Sequence, residues 1–339
     1  MLVKLLKMLY GHRFFYESVR RLYKSPWLSN RSLYRKWVFS RAFAAQARLE
    51  SKLPDVVIET ILSCNSRCRM CAHGHKKLTG EMSMAFFEKL IADVASLGLK
   101  RVSMSLYGEP FLDRHWLERI ALLRANGLSY GFSTNASLMT KEVLVPMLEM
   151  GGWESVTLSI NGLSSEVYEN MMPPLKKDTT YANAHMFLEL KQRYPDRAPY
   201  VTLSCVKTKL TAPETKAYFK YWSKVPGVDR IVFPDCGDWL GECDVQNLSS
   251  DHKAKQEKTW LAPCPSLWGS LCVFYDGSVT PCCQAAANRQ LIVGDIKNDN
   301  LRDILLGPKI EALRQQQLRN RRSEHPICGR CPINPPWLA

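Results

Sequence analysis

Short β-branched runs alternate with amphipathic segments between residues 55 and 234, and this alternation constrains the fold of the 339-residue chain more than any other feature. The runs that predict strands are residues 56–61, 101–106, 128–133, 155–160, 200–206 and 230–233. The segments that predict helices are residues 84–97, 116–125, 141–149, 181–193 and 214–223. Strands that alternate with helices build a parallel α/β sheet, and right-handed crossovers curve it toward a barrel or a doubly wound form. Periodicity alone leaves both forms open.

Twelve cysteines are present, and eight of them follow residue 235, where the alternation of strands and helices stops. No window approaches the roughly 18 apolar residues that a membrane-spanning helix requires, and Lys4 and Lys7 interrupt the apolar start of the chain. We therefore expect a cytoplasmic protein, in which clustered cysteines are metal ligands or buried thiols rather than disulfides. Many turn residues and one helix, residues 300–319, predict a small metal-stabilised domain after residue 235.

The first cysteine group, Cys64, Cys68 and Cys71, has the spacing C-x3-C-x2-C and directly follows the first predicted strand. Parallel α/β folds place their chemistry at the C-terminal ends of their strands. Three thiolates can hold three irons of a four-iron cluster and leave the fourth iron open to bind another molecule. Two alternatives stay open at this point: a zinc site completed by His73 or His75, and a structural cluster with a distant fourth ligand.

Three further motifs follow the next three predicted strands. They are Tyr107-Gly108-Glu109-Pro110, Ser133-Thr134-Asn135 and Ser159-Ile160-Asn161-Gly162. Together with the first cysteine group, and in this order, they resemble the radical S-adenosylmethionine (radical SAM) superfamily, whose fold is a partial six-stranded (β/α)6 TIM-like barrel. Tyr107 stands where the family's Gly-Gly-Glu-Pro motif has its first glycine, and Asn161 stands where an aspartate is usual.

This resemblance implies a [4Fe–4S] cluster on the first cysteine group that binds S-adenosylmethionine and cleaves it reductively to a 5′-deoxyadenosyl radical. The radical then abstracts hydrogen from a substrate. The resemblance further implies that Glu109 and its neighbours hold the amino group of the methionine moiety. The cofactor-binding residues implied in this way are Gly108, Glu109, Pro110, Thr134, Asn135, Ser159 and Asn161. No catalytic base can be named from the sequence.

The second cysteine group consists of Cys264, Cys282, Cys328 and Cys331. Asp276-Gly277 is a strong hairpin signal that would bring Cys282 back toward Cys264, and four thiolates can close either a zinc or an iron–sulfur site. The C-x12-G-x4-C opening and the late C-x2-C pair resemble the SPASM/twitch domains, which implies one auxiliary [4Fe–4S] cluster. Because no cysteine follows Cys331, the shorter twitch form is expected. Cys283 is an alternative to Cys282, and Cys205, Cys236, Cys243 and Cys272 have no assigned role.

Residues 1–50 carry 11 Lys or Arg against Glu17 and Glu50, and therefore hold +9 of the net charge of +14. Their aromatic, amphipathic pattern predicts two helices separated near Pro26, which would cover the open side or the base of the partial barrel. Their basic faces would also attract an acidic flavodoxin or ferredoxin or contact an anionic membrane surface. Nucleic acid is disfavoured because no nucleic-acid-binding module accompanies the charge.

The expected organisation is a basic helical extension (residues 1–50), a radical SAM core (51–235) and a SPASM/twitch domain (236–339). We expect an iron–sulfur oxidoreductase that carries out a net oxidation of a small polar metabolite, such as a sugar or glycan precursor. One alternative is a maturase-type enzyme that modifies a peptide or protein side chain. A second alternative is a non-catalytic iron–sulfur electron carrier.

Overall fold

The computed structural model of the protein describes residues 32–51, 53–241, 243, 245, 247–249, 260–285 and 289–331. The strands are β1 (Asp55–Ile58), β2 (Arg101–Ser103), β3 (Ser129–Thr134), β4 (Trp153–Ser159), β5 (Tyr200–Ser204), β6 (Arg230–Val232), β7 (Ser270–Val273), β8 (Ser278–Thr280) and β9 (Gly294–Asp295). The α-helices are α1 (Ser32–Ala47), α2 (Met84–Ser96), α3 (Trp116–Ala125), α4 (Lys141–Met150), α5 (Ser165–Met171), α6 (Lys177–Gln192), α7 (Thr215–Trp222), α8 (Ser266–Gly269), α9 (Leu301–Leu306) and α10 (Pro308–Leu318).

These strands form one sheet in the order β6-β5-β4-β3-β2-β1-β7-β8-β9. Strands β1 to β6 are parallel and lie in chain order, so every crossover advances in the same direction. A doubly wound sheet would reverse direction at a switch point, so the structure selects the partial-barrel form of the two that periodicity left open. Within the described residues β6 and β9 are edge strands, and the barrel is therefore incomplete.

One face of the parallel sheet is apolar and covered by helices. Residues that alternate along the strands, such as Val156 and Leu158 on β4, are buried against helical side chains. Aromatic rings continue this layer, because the ring centroids of Phe132 and Trp153 and those of Trp153 and Phe187 are each 5.2 Å apart. Fully burying one such side chain stabilises the fold by about 1.5–3 kcal/mol, so this face is the main source of stability for the barrel.

The C-terminal part of the chain joins the same sheet. The predicted hairpin at Asp276-Gly277 is confirmed, since β7 and β8 pair in antiparallel fashion and Gly277 has a φ of +95°. Strand β7 also pairs in parallel with β1, which local sequence patterns did not predict. The single helix expected over residues 300–319 is wrong, because Gly307 and Pro308 divide it into α9 and α10. The domain boundary at residue 235 stays a prediction.

Helix α1 is the described part of the N-terminal extension. It buries Val38 and Ala42 against Trp268, which lies just before β7, and against Leu318 of α10. The Trp268 indole N–H also donates to Gln46 Oε1 at 2.7 Å. Helix α1 therefore lies near the N-terminal ends of β1 and β7, at the base of the sheet. The other predicted helix falls on residues 1–31, outside the described residues. None of the helices that the structure describes is long and apolar enough to cross a membrane.

Candidate functional site

The first cysteine group lies in the loop that follows β1, at the C-terminal edge of the parallel strands. Cys64, Cys68 and Cys71 are partly buried, and their thiols lie within electrostatic reach of one another. The Ser66 amide donates to Cys64 Sγ at 3.4 Å, and the Ser66 hydroxyl lies 3.1 Å from Cys68 Sγ. Burial raises the pKa of Cys64 to about 12 and also raises the pKa of the other two thiols.

Thiols with raised pKa values need a nearby positive charge to become thiolates, and iron ions supply such a charge. In the part of the chain that the structure describes, no three histidine, cysteine or acidic side chains surround one point as the ligands of a single metal ion would. The all-sulfur donor set on one short loop fits the iron–sulfur cluster that the sequence analysis expects.

Gly108 lets the Tyr107-Gly108-Glu109-Pro110 motif pack against the loop of the first cysteine group. A Cβ atom at Gly108 would lie 2.0 Å from the Ile61 carbonyl oxygen and 3.0 Å from that of Ser63. The amide of Glu109 donates to the Ser63 carbonyl oxygen at 2.9 Å, which fixes this approach. Any side chain at Gly108 would therefore push the Gly-Glu-Pro segment away from the cysteines.

Substitution of Gly108 by alanine is expected to lower the free energy of unfolding by at least about 2 kcal/mol, because the clash is with backbone that cannot rotate away. Equilibrium denaturant unfolding measures this difference. Gly269→Ala is the matched control, since a Cβ there meets nothing within 4 Å, and it should change stability by no more than about 0.5 kcal/mol. Equal stability of the two variants would contradict the packing that we describe.

Glu109 ties the ends of β2 and β3 together. Its carboxylate accepts hydrogen bonds from Thr134 Oγ1 at 2.6 Å, from the Asn135 amide at 2.8 Å and from the Phe111 amide at 3.4 Å. Burial raises the pKa of Glu109 to about 7, against the opposing effect of these donors. Asn135 Nδ2 in turn donates to Asn65 Oδ1 at 2.8 Å, so the network reaches the cysteine loop. The contribution of Asn65 was not predicted, although it lies between two of the cysteines.

The Ser159-Ile160-Asn161-Gly162 motif joins two strand ends through the side chain of Asn161. Asn161 is buried, and its side-chain oxygen accepts a hydrogen bond from the Val206 amide at 2.7 Å, while its Nδ2 lies 3.4 Å from Met172 Sδ. Asn161 therefore joins the ends of β4 and β5 with both of its polar atoms engaged. Ser159 is half-buried on the opposite side of β4 from Leu158. Pro110 begins the short 3-10 turn Pro110–Leu112 behind Glu109. The binding of a cofactor by the residues of these motifs stays a prediction.

The second cysteine group also comes together in space. Cys282 and Cys328 lie within electrostatic reach of Cys264, and Cys328 also interacts with Cys331. Cys283 interacts with both Cys264 and Cys331, and buried Cys272 interacts with Cys282 and Cys283, so six thiols of the described residues gather at this site. Burial raises the pKa of Cys282 to about 12 and that of Cys328 to about 11. This sulfur-rich set fits an auxiliary cluster, and the structure leaves Cys282 and Cys283 both in place as candidate ligands.

The concave side of the parallel sheet carries small hydroxyl side chains instead of the bulky residues that fill a closed TIM barrel. We call this set the hydroxyl face, and its members lie half-buried or exposed on β2 to β5 and directly after β2: Ser103, Ser105, Ser133, Thr157, Ser159, Thr202 and Ser204. Because these residues alternate with the buried apolar ones, they point away from the helices. The concave side is thus a polar surface that opens toward the cysteine loops.

Glu59 lies at the end of β1 on this concave side. It is 1% exposed, and its Oε2 accepts a hydrogen bond from Arg289 Nη2 at 3.1 Å. Arg289 comes from the loop after Cys283 and lies over the Phe274 ring, with its guanidinium carbon 3.7 Å from the ring centroid. Glu59 Oε1 has no hydrogen-bond partner among the described residues. Burial raises the pKa of Glu59 to about 7, and Arg289 only partly opposes this, as does the amide of Tyr275.

A carboxyl group whose pKa is raised on folding stabilises the fold below its unfolded pKa, 4.5, and loses that contribution as the pH rises through about 7. We expect the unfolding free energy of the native protein to fall by about 3 kcal/mol over this window relative to Glu59→Gln, which cannot titrate. The charged groups nearest Glu59 are Arg289 and Asp276. Denaturant unfolding at several pH values, with exposed Glu88→Gln as the control, measures the difference. Parallel pH curves for native protein and Glu59→Gln would refute the shift.

Comparison with known proteins matches two segments of the chain to family models. Residues 58–199 match the Radical SAM superfamily, and residues 264–332 match SPASM, an iron–sulfur cluster-binding domain. A curated relative from Pyrococcus furiosus, the tungsten-containing aldehyde ferredoxin oxidoreductase cofactor-modifying protein, is 30% identical over 96 residues. These residues span 28% of this chain and only 27% of that relative.

Solved structures with the same fold include proteins with different bound ligands. SuiB of Streptococcus suis, bound to its precursor peptide SuiA, has a TM-score of 0.61 at 15% identity and aligns over 81% of this chain and 71% of its own. BtrN, bound to AdoMet and 2-DOIA, has a TM-score of 0.55 at 17% identity and aligns over 83% of this chain and 93% of its own. A third, anSMEcpe with AdoMet and the Cp18Cys peptide, has a TM-score of 0.56 at 17% identity and aligns over 78% of this chain and 83% of its own.

Proposed function

Because the chain belongs to the radical SAM superfamily of iron–sulfur enzymes and carries a SPASM cluster-binding domain, we propose that it oxidises a small polar metabolite by hydrogen abstraction. The substrate would be hydroxyl-rich, such as a sugar or a glycan precursor. The hydroxyl face is the observation that carries this proposal. Its serines and threonines can both donate and accept hydrogen bonds, which suits a substrate that carries several hydroxyl groups.

Cys64, Cys68 and Cys71 would hold the first cluster, and Cys264, Cys282, Cys328 and Cys331 the second. When bound, the first cluster with S-adenosylmethionine would supply a radical that removes a hydrogen atom from carbon; the substrate radical would then lose a proton, and the auxiliary cluster would supply the acceptor for its remaining electron. The chain's own part is to orient the substrate and to exclude water. The Glu109 network, which locks the ends of β2 and β3 beside the cysteine loop, would provide the rigid wall for that orientation.

Deuterium transfer tests the proposed function. Protein reconstituted with iron and sulfide, reduced with dithionite and supplied with S-adenosylmethionine, is expected to move deuterium from a carbon-deuterated sugar or cyclitol into 5′-deoxyadenosine. Thr157→Val and Thr202→Val keep the shape of two members of the hydroxyl face and remove their hydroxyl groups. We expect these variants to raise the substrate KM by about tenfold for each lost hydrogen bond while S-adenosylmethionine cleavage persists. Deuterium transfer only from peptides would overturn the choice of substrate.

Peptide modification is the second candidate, and its support is the likeness to SuiB in complex with its precursor peptide. This function predicts that the protein protects a bound peptide from proteolysis. It also predicts that deuterium moves from a carbon-deuterated peptide into 5′-deoxyadenosine. A non-catalytic electron carrier would form no 5′-deoxyadenosine at all. We also propose an acidic flavodoxin or ferredoxin as the electron donor, which is supported by the +9 charge of residues 1–50.

A further inference from the structure

Two aromatic residues lie between the loops that carry the two cysteine groups. Tyr107, which stands in place of the first glycine of its motif, is 6% exposed, and its ring centroid lies 5.1 Å from that of Trp239. The Tyr107 hydroxyl donates to the Cys283 carbonyl oxygen at 3.4 Å. The Trp239 indole N–H donates to the Met70 carbonyl oxygen at 2.8 Å. The pair therefore contacts backbone next to Cys71 on one side and next to Cys282 on the other.

The segment that presents Trp239 has a strained backbone. Trp239 and Leu240 have φ values of +51° and +59°, and Gly241 follows with +88°. Side chains other than glycine lose about 1–2 kcal/mol in this left-handed region, and such strain persists only where surrounding contacts determine the conformation. The contacts that hold Trp239 include the Tyr107 ring and the Met70 carbonyl oxygen of the cysteine loop, and Trp239 also packs against the hydrophobic core. A glycine at position 107 would remove the ring against which Trp239 packs.

We propose that Tyr107 and Trp239 are positioning residues that form an aromatic bridge between the two cysteine loops and hold them at a fixed separation. The bridge rests on the proposed function only in that two cluster-bearing loops need a constant spacing to act on one substrate. A displacement of about 1 Å far from the reacting atoms can lower a rate about a hundredfold. Tyr107 in this chain thus supplies a contact that the glycine of the family motif cannot make.

Hydrogen exchange of backbone amides tests the bridge without substrate or S-adenosylmethionine. In the full-length reconstituted protein, Tyr107→Phe removes one hydrogen bond and keeps the ring, and Trp239→Phe removes one hydrogen bond and replaces the indole by a smaller aromatic ring. We expect amides of residues 66–75 and 281–285 to exchange about two- to tenfold faster, the effect of losing one such bond on local opening. Tyr130→Phe is the matched control, because the buried Tyr130 hydroxyl has no hydrogen-bond partner in the described residues. Unchanged exchange in both loops would overturn the proposal.

The magnetic interaction between the two reduced clusters supplies a second readout, because it depends on their separation. Tyr107→Gly and Trp239→Ala are expected to change this interaction in the electron paramagnetic resonance spectrum. The phenylalanine variants are expected to keep the interaction of the native protein. A spectrum identical to that of the native protein in Tyr107→Gly and Trp239→Ala would contradict a spacing role. Neither readout requires turnover, so a failed proposal of function, with no deuterium transfer from any sugar, is distinguishable from a failed bridge.

Discussion

Protein in which Cys68 is replaced by alanine is expected to assemble no cluster at the first cysteine group and to form no 5′-deoxyadenosine from S-adenosylmethionine. Cys68 is the central member of the C-x3-C-x2-C spacing, and its sulfur contacts the Ser66 hydroxyl at 3.1 Å. Losing a residue that merely supports a metal ligand costs about 10- to 100-fold in affinity or activity. Removal of the ligand itself should therefore lower cleavage by more than about a hundredfold.

Anaerobic reconstitution followed by quantification of iron and of 5′-deoxyadenosine measures both consequences. Cys205→Ala is the matched control, because Cys205 is buried in the apolar core at the end of β5 and belongs to neither cysteine group. That variant should keep its iron and its cleavage rate at a modest loss of stability. Cleavage by Cys68→Ala at the native rate would show that the first cysteine group is not the site where S-adenosylmethionine reacts.

Local sequence patterns predicted the strands and most of the helices of the barrel. Helix α3 has the predicted bounds, Trp116–Ala125, and every predicted strand of the parallel sheet overlaps an observed one. This agreement has a physical reason, since alternating burial on strands and three-to-four-residue spacing on helices are both written in short windows of sequence. The first cysteine group was found from its spacing and its place after the first predicted strand, whereas Gly108 and Glu109 were found from the resemblance of their motif to that of the radical SAM superfamily.

Features that depend on distant segments were missed. The pairing of β7 with β1 and the Glu59–Arg289 ion pair join residues more than 200 positions apart, and no local period signals such partners. Helix α5 was also missed, and its seven residues give too short a window for a helical period. The Tyr107–Trp239 contact belongs to the same class, although the departure of Tyr107 from the family motif was visible in the sequence.

Loss of the auxiliary site is expected to separate radical formation from product formation. Cys264→Ala should still cleave S-adenosylmethionine, because the first cysteine group and the Glu109 network are untouched, but oxidised product should fall by more than about a hundredfold. Within this site Cys264 is the cysteine with which Cys282, Cys283 and Cys328 all interact. Retention of full product yield by Cys264→Ala would refute a role for the second site in the oxidation.

The same measurement distinguishes the two adjacent thiols. If Cys282 is the ligand, Cys282→Ala loses the auxiliary iron and the product together, whereas Cys283→Ala keeps both; the opposite result reassigns the ligand to Cys283. The hairpin geometry favours Cys282, because it is the first cysteine to follow β8, whose pairing with β7 aligns Thr280 with Cys272. Cys283 is the more exposed of the two, and its carbonyl oxygen accepts a hydrogen bond from the Tyr107 hydroxyl. A cluster held by Cys282 would therefore lie one residue away from the contact that joins the second cysteine group to the first.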